Sequence, residues 1–177
     1  MPTVNEKLKV FFTEYAKRMN DALIDSAGIN AQATAAAFAD QFIEASPAGI
    51  RCCKNDEKFR EMIPKGYEFY RSIGTISMNI TGLEVTELDD LHAMAKVHWD
   101  SHYSKTDREE VQIEFDVFYL VQLIDGEPRI FGYVTGDEQS VLKEHGLILG
   151  TPPSNLLFSN GSNCLRPDFR VFSFDLL

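Results

Sequence analysis

Acid–base chemistry on a carbonyl compound needs a carboxylate, or a carboxylate–histidine pair, withdrawn from water. Three polar residues of this 177-residue chain stand where they could reach an interior: Tyr15, Asp40 and Arg51. Tyr15 and Asp40 fall in stretches that read as helix, and Arg51 in a short strand. Asp40 reads more readily as a solvated helix residue, since helical carboxylates are mostly exposed. Cys52 and Cys53 lie just before a helix start, which can lower a thiol's pKa. Adjacent strand residues point to opposite faces, so one of the two is a small packing residue on this reading. His98, Asp100 and His102 alternate on one strand face and are metal-ligand types. Residues four apart on a strand are about 13 Å apart, too far for one ion, so they read as a polar ladder and no metal is expected.

The elements that must position these groups follow from periodicity. In residues 5–26, Leu8, Phe11, Phe12, Tyr15, Met19, Ala22 and Leu23 recur every three or four positions, the stripe of an amphipathic helix. Asn30 is a candidate cap for a second, alanine-rich helix carrying Phe38 and Phe42, stopped at Ser46-Pro47. A short strand, 49–53, comes next. Asp56 then caps a third helix with Phe59, Met62, Ile63, Tyr67, Tyr70 and Ile73 inside, closed by Gly74.

From residue 75 the period changes to two. In 75–88 the alternation slips at Gly82, which predicts a bulge. In 91–103, Ala93, Ala95, Val97 and Trp99 oppose His92, Lys96, His98, Asp100 and His102. In 111–123, Val117, Tyr119 and Val121 oppose Gln112, Glu114, Asp116 and Gln122. A symmetric hairpin between these two strands sets His98 beside Asp116 and Asp100 beside Glu114. A last strand, 129–135, and a short helix, 137–146, complete the pattern. Residues 1–149 read as one α+β domain. Thr151-Pro152-Pro153 opens a C-terminal extension, 150–177, whose Phe169–Phe174 stretch alternates like an edge strand.

Charge excludes several function classes. Lysine plus arginine is 17 and aspartate plus glutamate 27, and residues 75–149 hold 5 of the former and 15 of the latter, so the whole excess of ten is there. Such a chain repels phosphate backbones and anionic lipid, so neither nucleic acid nor membrane is an expected partner. Three cysteines, two of them adjacent, suit a reducing compartment. No apolar stretch has the length of a secretion signal or a membrane span, and a cytoplasmic location is expected. No phosphate-binding glycine loop, zinc-type cysteine spacing or Gly-x-Ser-x-Gly elbow occurs, and no cofactor is expected.

The 56–74 helix, the Ala93–Trp99 and Phe115–Leu123 strands, and the closing Gly136-Asp137-Glu138-Gln139 with His145-Gly146-Leu147 carry a resemblance. In their order and spacing they resemble the nuclear transport factor 2-like superfamily over about residues 5–149. That superfamily includes SnoaL-like cyclases, ketosteroid isomerases and non-catalytic association modules. The resemblance implies a cystatin-like cone: three N-terminal helices packed in a curved antiparallel sheet. It also implies a pocket between the first helix and the sheet's inner face; by alternation Trp99 and Tyr119 project into it opposite Phe12 and Tyr15, and Tyr133 joins them if the last strand has the matching phase. The isomerases place a carboxylate base just after the first strand; this chain has Arg51, Cys52 and Cys53 there. Two functions are therefore expected in parallel. One is a small hydrophobic-ligand-binding protein with little or no catalysis. The other is an isomerase, cyclase or hydratase acting on a small hydrophobic ketone or lactone. Met94, Phe118 and Leu120 lie on the sheet's outer face with His98 and Asp116, which predicts a homodimer through that face.

Overall fold

The computed structural model describes residues 2–149. The proposed 150–177 extension, with its Phe169–Phe174 strand, lies outside them. Helix α1 (Val4–Ile24) opens on a capping box: the Thr3 hydroxyl accepts from the Glu6 amide at 3.2 Å, and Glu6 accepts from the Thr3 amide at 2.8 Å. Its buried stripe is Leu8, Phe12, Tyr15, Met19, Ala22 and Leu23. Helix α2 (Ala31–Ala36) is only six residues long and gives way to strand β1 (Phe38–Ser46) and strand β2 (Gly49–Lys54). Helix α3 (Glu57–Ser72), strands β3 (Thr75–Glu87), β4 (His92–Ser104), β5 (Glu110–Ile124) and β6 (Glu127–Val134), and helix α4 (Glu138–Glu144) follow.

Two expectations are corrected. The alanine-rich segment is not one helix to Ser46, and Asp40 and Phe42 belong to a strand. Phe38 and Phe42 both face the core, and a spacing of four serves a helix or a strand equally. The alanine run favours helix locally, but pairing with two neighbouring strands overrides that propensity. The sheet is also mixed rather than antiparallel. Its order is β2-β1-β6-β5-β4-β3, and β1 pairs with β6 in parallel. The helices are therefore not three in a row ahead of the sheet, because β1 and β2 stand between α2 and α3. The bulge expected at Gly82 is present, as a register shift between Ile80 and Gly82.

Helix α1 lies on the inner face of the sheet and α3 packs beside it. Gly74 makes the turn from α3 into β3 with φ +83°, and a Cβ there would meet the Ser104 carbonyl oxygen at 2.1 Å. No larger residue fits that approach. Asp56 caps α3, its carboxylate accepting from the Phe59 amide at 3.2 Å. Asp56→Ala is expected to lower stability by about 1 kcal/mol, the usual cost of losing such a cap. Urea unfolding of the two proteins checks this, and an unchanged midpoint would show that the cap is idle. At the far end the Tyr70 hydroxyl donates to the buried Glu138 carboxylate at 2.7 Å, tying α4 to α3.

Candidate functional site

The inner face of the sheet carries a polar row that strand register alone assembles. Arg51 on β2 pairs with Glu44 on β1, and Glu44 pairs with Tyr133 on β6. Tyr133 pairs with Tyr119 on β5, and Tyr119 with Ala95 on β4. Residues that are register partners share a face, so one line of side chains crosses five strands. Glu44 is 1% exposed. Its carboxylate accepts from the Arg51 guanidinium at 2.5 Å, and the Arg51 side chain is 36% exposed at the sheet edge. Burial pushes the Glu44 carboxyl above the usual carboxylate range, although Arg51 and the Tyr133 phenol pull the other way.

Phe12, Tyr15, Trp99, Tyr119 and Tyr133 lie together on this face as packed core. Phe12 lies 5.0 Å and Tyr15 6.3 Å from the Tyr119 ring. Tyr15 is 6.4 Å from Trp99, and Tyr119 is 6.3 Å from Tyr133. All five are buried. The Trp99 indole N–H is cut off from water with no hydrogen-bond partner, an uncommon state for a buried donor. Of the residues considered for chemistry, Tyr15 and Arg51 reach this inner face and Asp40 does not. Register slips between Phe38 and Ile43, and Asp40 within that bulge is exposed.

The outer face carries the expected ladder. His98 stands opposite Asp116, with its Nδ1 2.7 Å from the carboxylate, and Asp100 stands opposite Glu114. Lys96 reaches the same Asp116 at 3.2 Å. His102 and Gln112 hold Asp100 at 3.1 and 2.9 Å. These donors keep Asp116 and Asp100 below the usual carboxylate range, His98 acting most on the first and His102 on the second. Among the described residues no three His, Cys, Asp or Glu side chains are placed to hold a metal ion, and no helix is long and apolar enough to cross a membrane. Cys52 is exposed and Cys53 half-buried.

Two further features escaped the sequence reading. Glu44 was hidden inside the expected helix. The signal for it was the symmetry of Glu44 and Arg51 about Pro47-Ala48, which a hairpin reading of Ser46-Pro47-Ala48-Gly49 would have paired. The second is a groove of about 690 Å³ between α1, α2 and the start of β6. Phe11, Val10, Ala33, Ala36, Ala37 and Pro128 form its apolar wall, and Arg18, Lys7 and Arg129 also line it. It lies beside the first helix rather than beneath it, and none of the five converging aromatics lines it. Phe11 connects the two regions, stacking on Tyr15 at 6.2 Å.

An α+β cone whose mixed sheet folds over a long first helix defines a class, and comparison with known proteins agrees. Residues 5–138 match the family described as NTF2-like protein (DUF6841), and the chain belongs to that family. Solved structures share the fold at low identity. An NTF2-like protein with a cystatin-like fold from Novosphingobium aromaticivorans is 11% identical, with 82% of this chain and 89% of that one aligned and a TM-score of 0.58. A ketosteroid isomerase-like protein from Erwinia carotovora is 12% identical, over 73% and 92%, with a TM-score of 0.52. A protein from Xanthomonas campestris named for a calcium/calmodulin dependent protein kinase II association domain is 12% identical, over 76% and 88%, with a TM-score of 0.54. No curated protein matches the chain.

Proposed function

We propose that this protein binds a small, largely apolar molecule in the groove beside α1. The observation that carries the reading is the groove itself. Its volume of about 690 Å³ lies within the range of small-molecule sites, and its wall combines an aromatic ring and alanines with a few charged groups. α1, α2 and β6 each place residues in the core, Tyr15, Ala35 and Ile130 among them, so packing holds the walls. Neutral apolar probes, naphthalene-2-carboxamide and decanamide, are expected to shift the amide resonances of Val10, Phe11, Ala36 and Gly126. Ala36 is exposed on the groove wall, so Ala36→Tyr fills the space without touching the core. It is expected to weaken both probes at least tenfold. Shifts confined to other surfaces, or full-strength binding to Ala36→Tyr, would move the site elsewhere.

A second reading rests on Glu44. A buried carboxyl with a raised pKa, flanked by an arginine and a phenol, has the makings of a general acid–base on a hydrophobic ketone or lactone. The likeness to a ketosteroid isomerase-like protein favours it only at the level of fold. Deuterium uptake at the α-carbon of a cyclic ketone, abolished in Glu44→Gln, would support this reading; equal uptake by the variant would remove it.

The protein further pairs with a second copy through the outer sheet face, as the apolar residues there suggest. In register, Phe118, Val134, Ala45 and Ile50 form one row across β5, β6, β1 and β2. Met94, Leu120, Gly132 and Ile43 form the next. Phe118, Val134, Ile43 and Ile50 are exposed.

A further inference from the structure

We propose that the groove beside α1 selects amphipathic anions, an apolar body bearing one carboxylate, and that the Arg18 guanidinium receives the carboxylate. The inference rests on the groove being the binding site and adds the class of ligand it takes.

Arg18 is half-buried on α1, on the groove wall. Its guanidinium carbon lies 5.8 Å from the centre of the Tyr15 ring, which holds the planar group in place. Its Nε is shut off from water and has no hydrogen-bond partner. A buried N–H left unpaired costs free energy, and a guanidinium offers a flat fork that matches the two oxygens of a carboxylate. Nε is as far from a ligand's reach as from water's, so a carboxylate in the groove would meet the terminal nitrogens of the fork, which have no hydrogen-bond or ion-pair partner among the described residues.

The two other cations of the groove keep their charge available. The Lys7 ammonium donates to the Gly126 carbonyl at 2.8 Å, and Arg129 donates to the Pro128 carbonyl at 3.0 Å. Both partners are neutral backbone groups. The groove has acidic residues too, and they are not placed against these cations. Glu6 is engaged by Thr3 in the helix cap. Glu14 and Glu127 are exposed, and neither makes an ion pair with Arg18, Lys7 or Arg129. Glu14 precedes Arg18 by one helical turn, a spacing at which pairing is common, so the open guanidinium is a specific feature. Over a chain of net charge −10, a groove lined by three cations and three carboxylates is net neutral, less acidic than the chain around it, and its three cations have no ion-pair partner among the described residues. An uncharged ligand would leave them unused, and a small inorganic anion would leave the apolar wall wet.

Calorimetric titration of the full chain with decanoate and with decanamide tests this, since the pair shares one tail and differs in the charge of the head. Decanoate is expected to bind at least tenfold more tightly than decanamide. The preference should shrink as sodium chloride is raised. Arg18→Gln should reduce it to threefold or less while decanamide affinity holds, and Arg18→Lys should retain part of it. Trp99 fluorescence confirms that each variant is folded. Equal binding of the two probes by the wild type would overturn the inference and leave the apolar groove standing. So would a preference that survives in Arg18→Gln. Failure of both probes to bind would overturn the groove reading itself, and this inference with it.

Discussion

Arg51→Ala is expected to destabilise the protein by about 2–3 kcal/mol near neutral pH, and by less in mild acid. Removing one partner of a buried ion pair leaves the other charge uncompensated, which costs about 3–5 kcal/mol when both are buried. Here only Glu44 is fully buried, and Arg51 lies at the sheet edge with a side chain 36% exposed, so the figure is reduced. The pH dependence has a definite sign. Burial dominates at Glu44 and its folded pKa is raised. The ionised form is therefore the costly one in the folded state. Any stability linked to this group is fully present below its unfolded pKa and is lost as pH rises through the folded value. Arg51 is the leading influence that lowers the Glu44 pKa, so its removal raises that pKa further and deepens the loss at high pH. The gap between wild type and Arg51→Ala should be wide at pH 8 and narrow toward pH 5. Urea unfolding at the two values measures it. A gap independent of pH would mean that Arg51 acts through packing alone. Glu44→Gln, which removes the charge but keeps the shape, should make Arg51→Ala nearly independent of pH.

Phe118→Glu is expected to raise the dimer dissociation constant by more than a hundredfold, about 3 kcal/mol. Phe118 is 37% exposed and begins the apolar row that continues to Val134, Ala45 and Ile50. Sheet faces left to water seldom carry such rows. The histidines and carboxylates of this face are already paired within one chain: His98 with Asp116, His102 with Asp100 and Lys96 with Asp116. The proposed association would therefore draw on the apolar rows, with the charged ladder as a rim whose bonds are already made within one chain. Ile50 is 75% exposed on the edge strand, so Ile50→Glu should weaken the dimer too, by a smaller factor. Sedimentation of the wild type at micromolar concentration decides whether the face is used. A wild-type monomer would retire this interface, as would a Phe118→Glu protein that still dimerises.

Much of this molecule can be read from its chain, and the readable parts share a cause. α1, α3 and the β4–β5 hairpin each bury one face over many residues, so their periods repeat often enough to be unambiguous. The His98–Asp116 pairing followed from the symmetry of one hairpin, because register in such a pair is a local matter. Trp99 and Tyr119 facing Phe12 and Tyr15 followed from the same alternation, whereas Tyr133 depended on the phase of the last strand, which alternation left open. The acidic excess in residues 75–149 needed only counting.

What tertiary structure decided is concentrated in residues 37–54 and in the groove. The Phe38–Ser46 segment has an alanine-rich lead and two phenylalanines four apart, a pattern that serves a helix as well as a strand. It becomes a strand because β2 on one side and β6 on the other satisfy its backbone, and β6 follows it in the chain by some ninety residues. No local signal reports a parallel partner so distant. Once β1 is placed, Glu44 enters the core against Arg51, Asp40 is carried out to solvent in a bulge, and the sheet becomes mixed. The groove has the same origin. Phe11 and Arg18 belong to α1, Ala36 to α2 and Pro128 to β6, and only the packing of those three elements brings an open guanidinium beside an apolar wall.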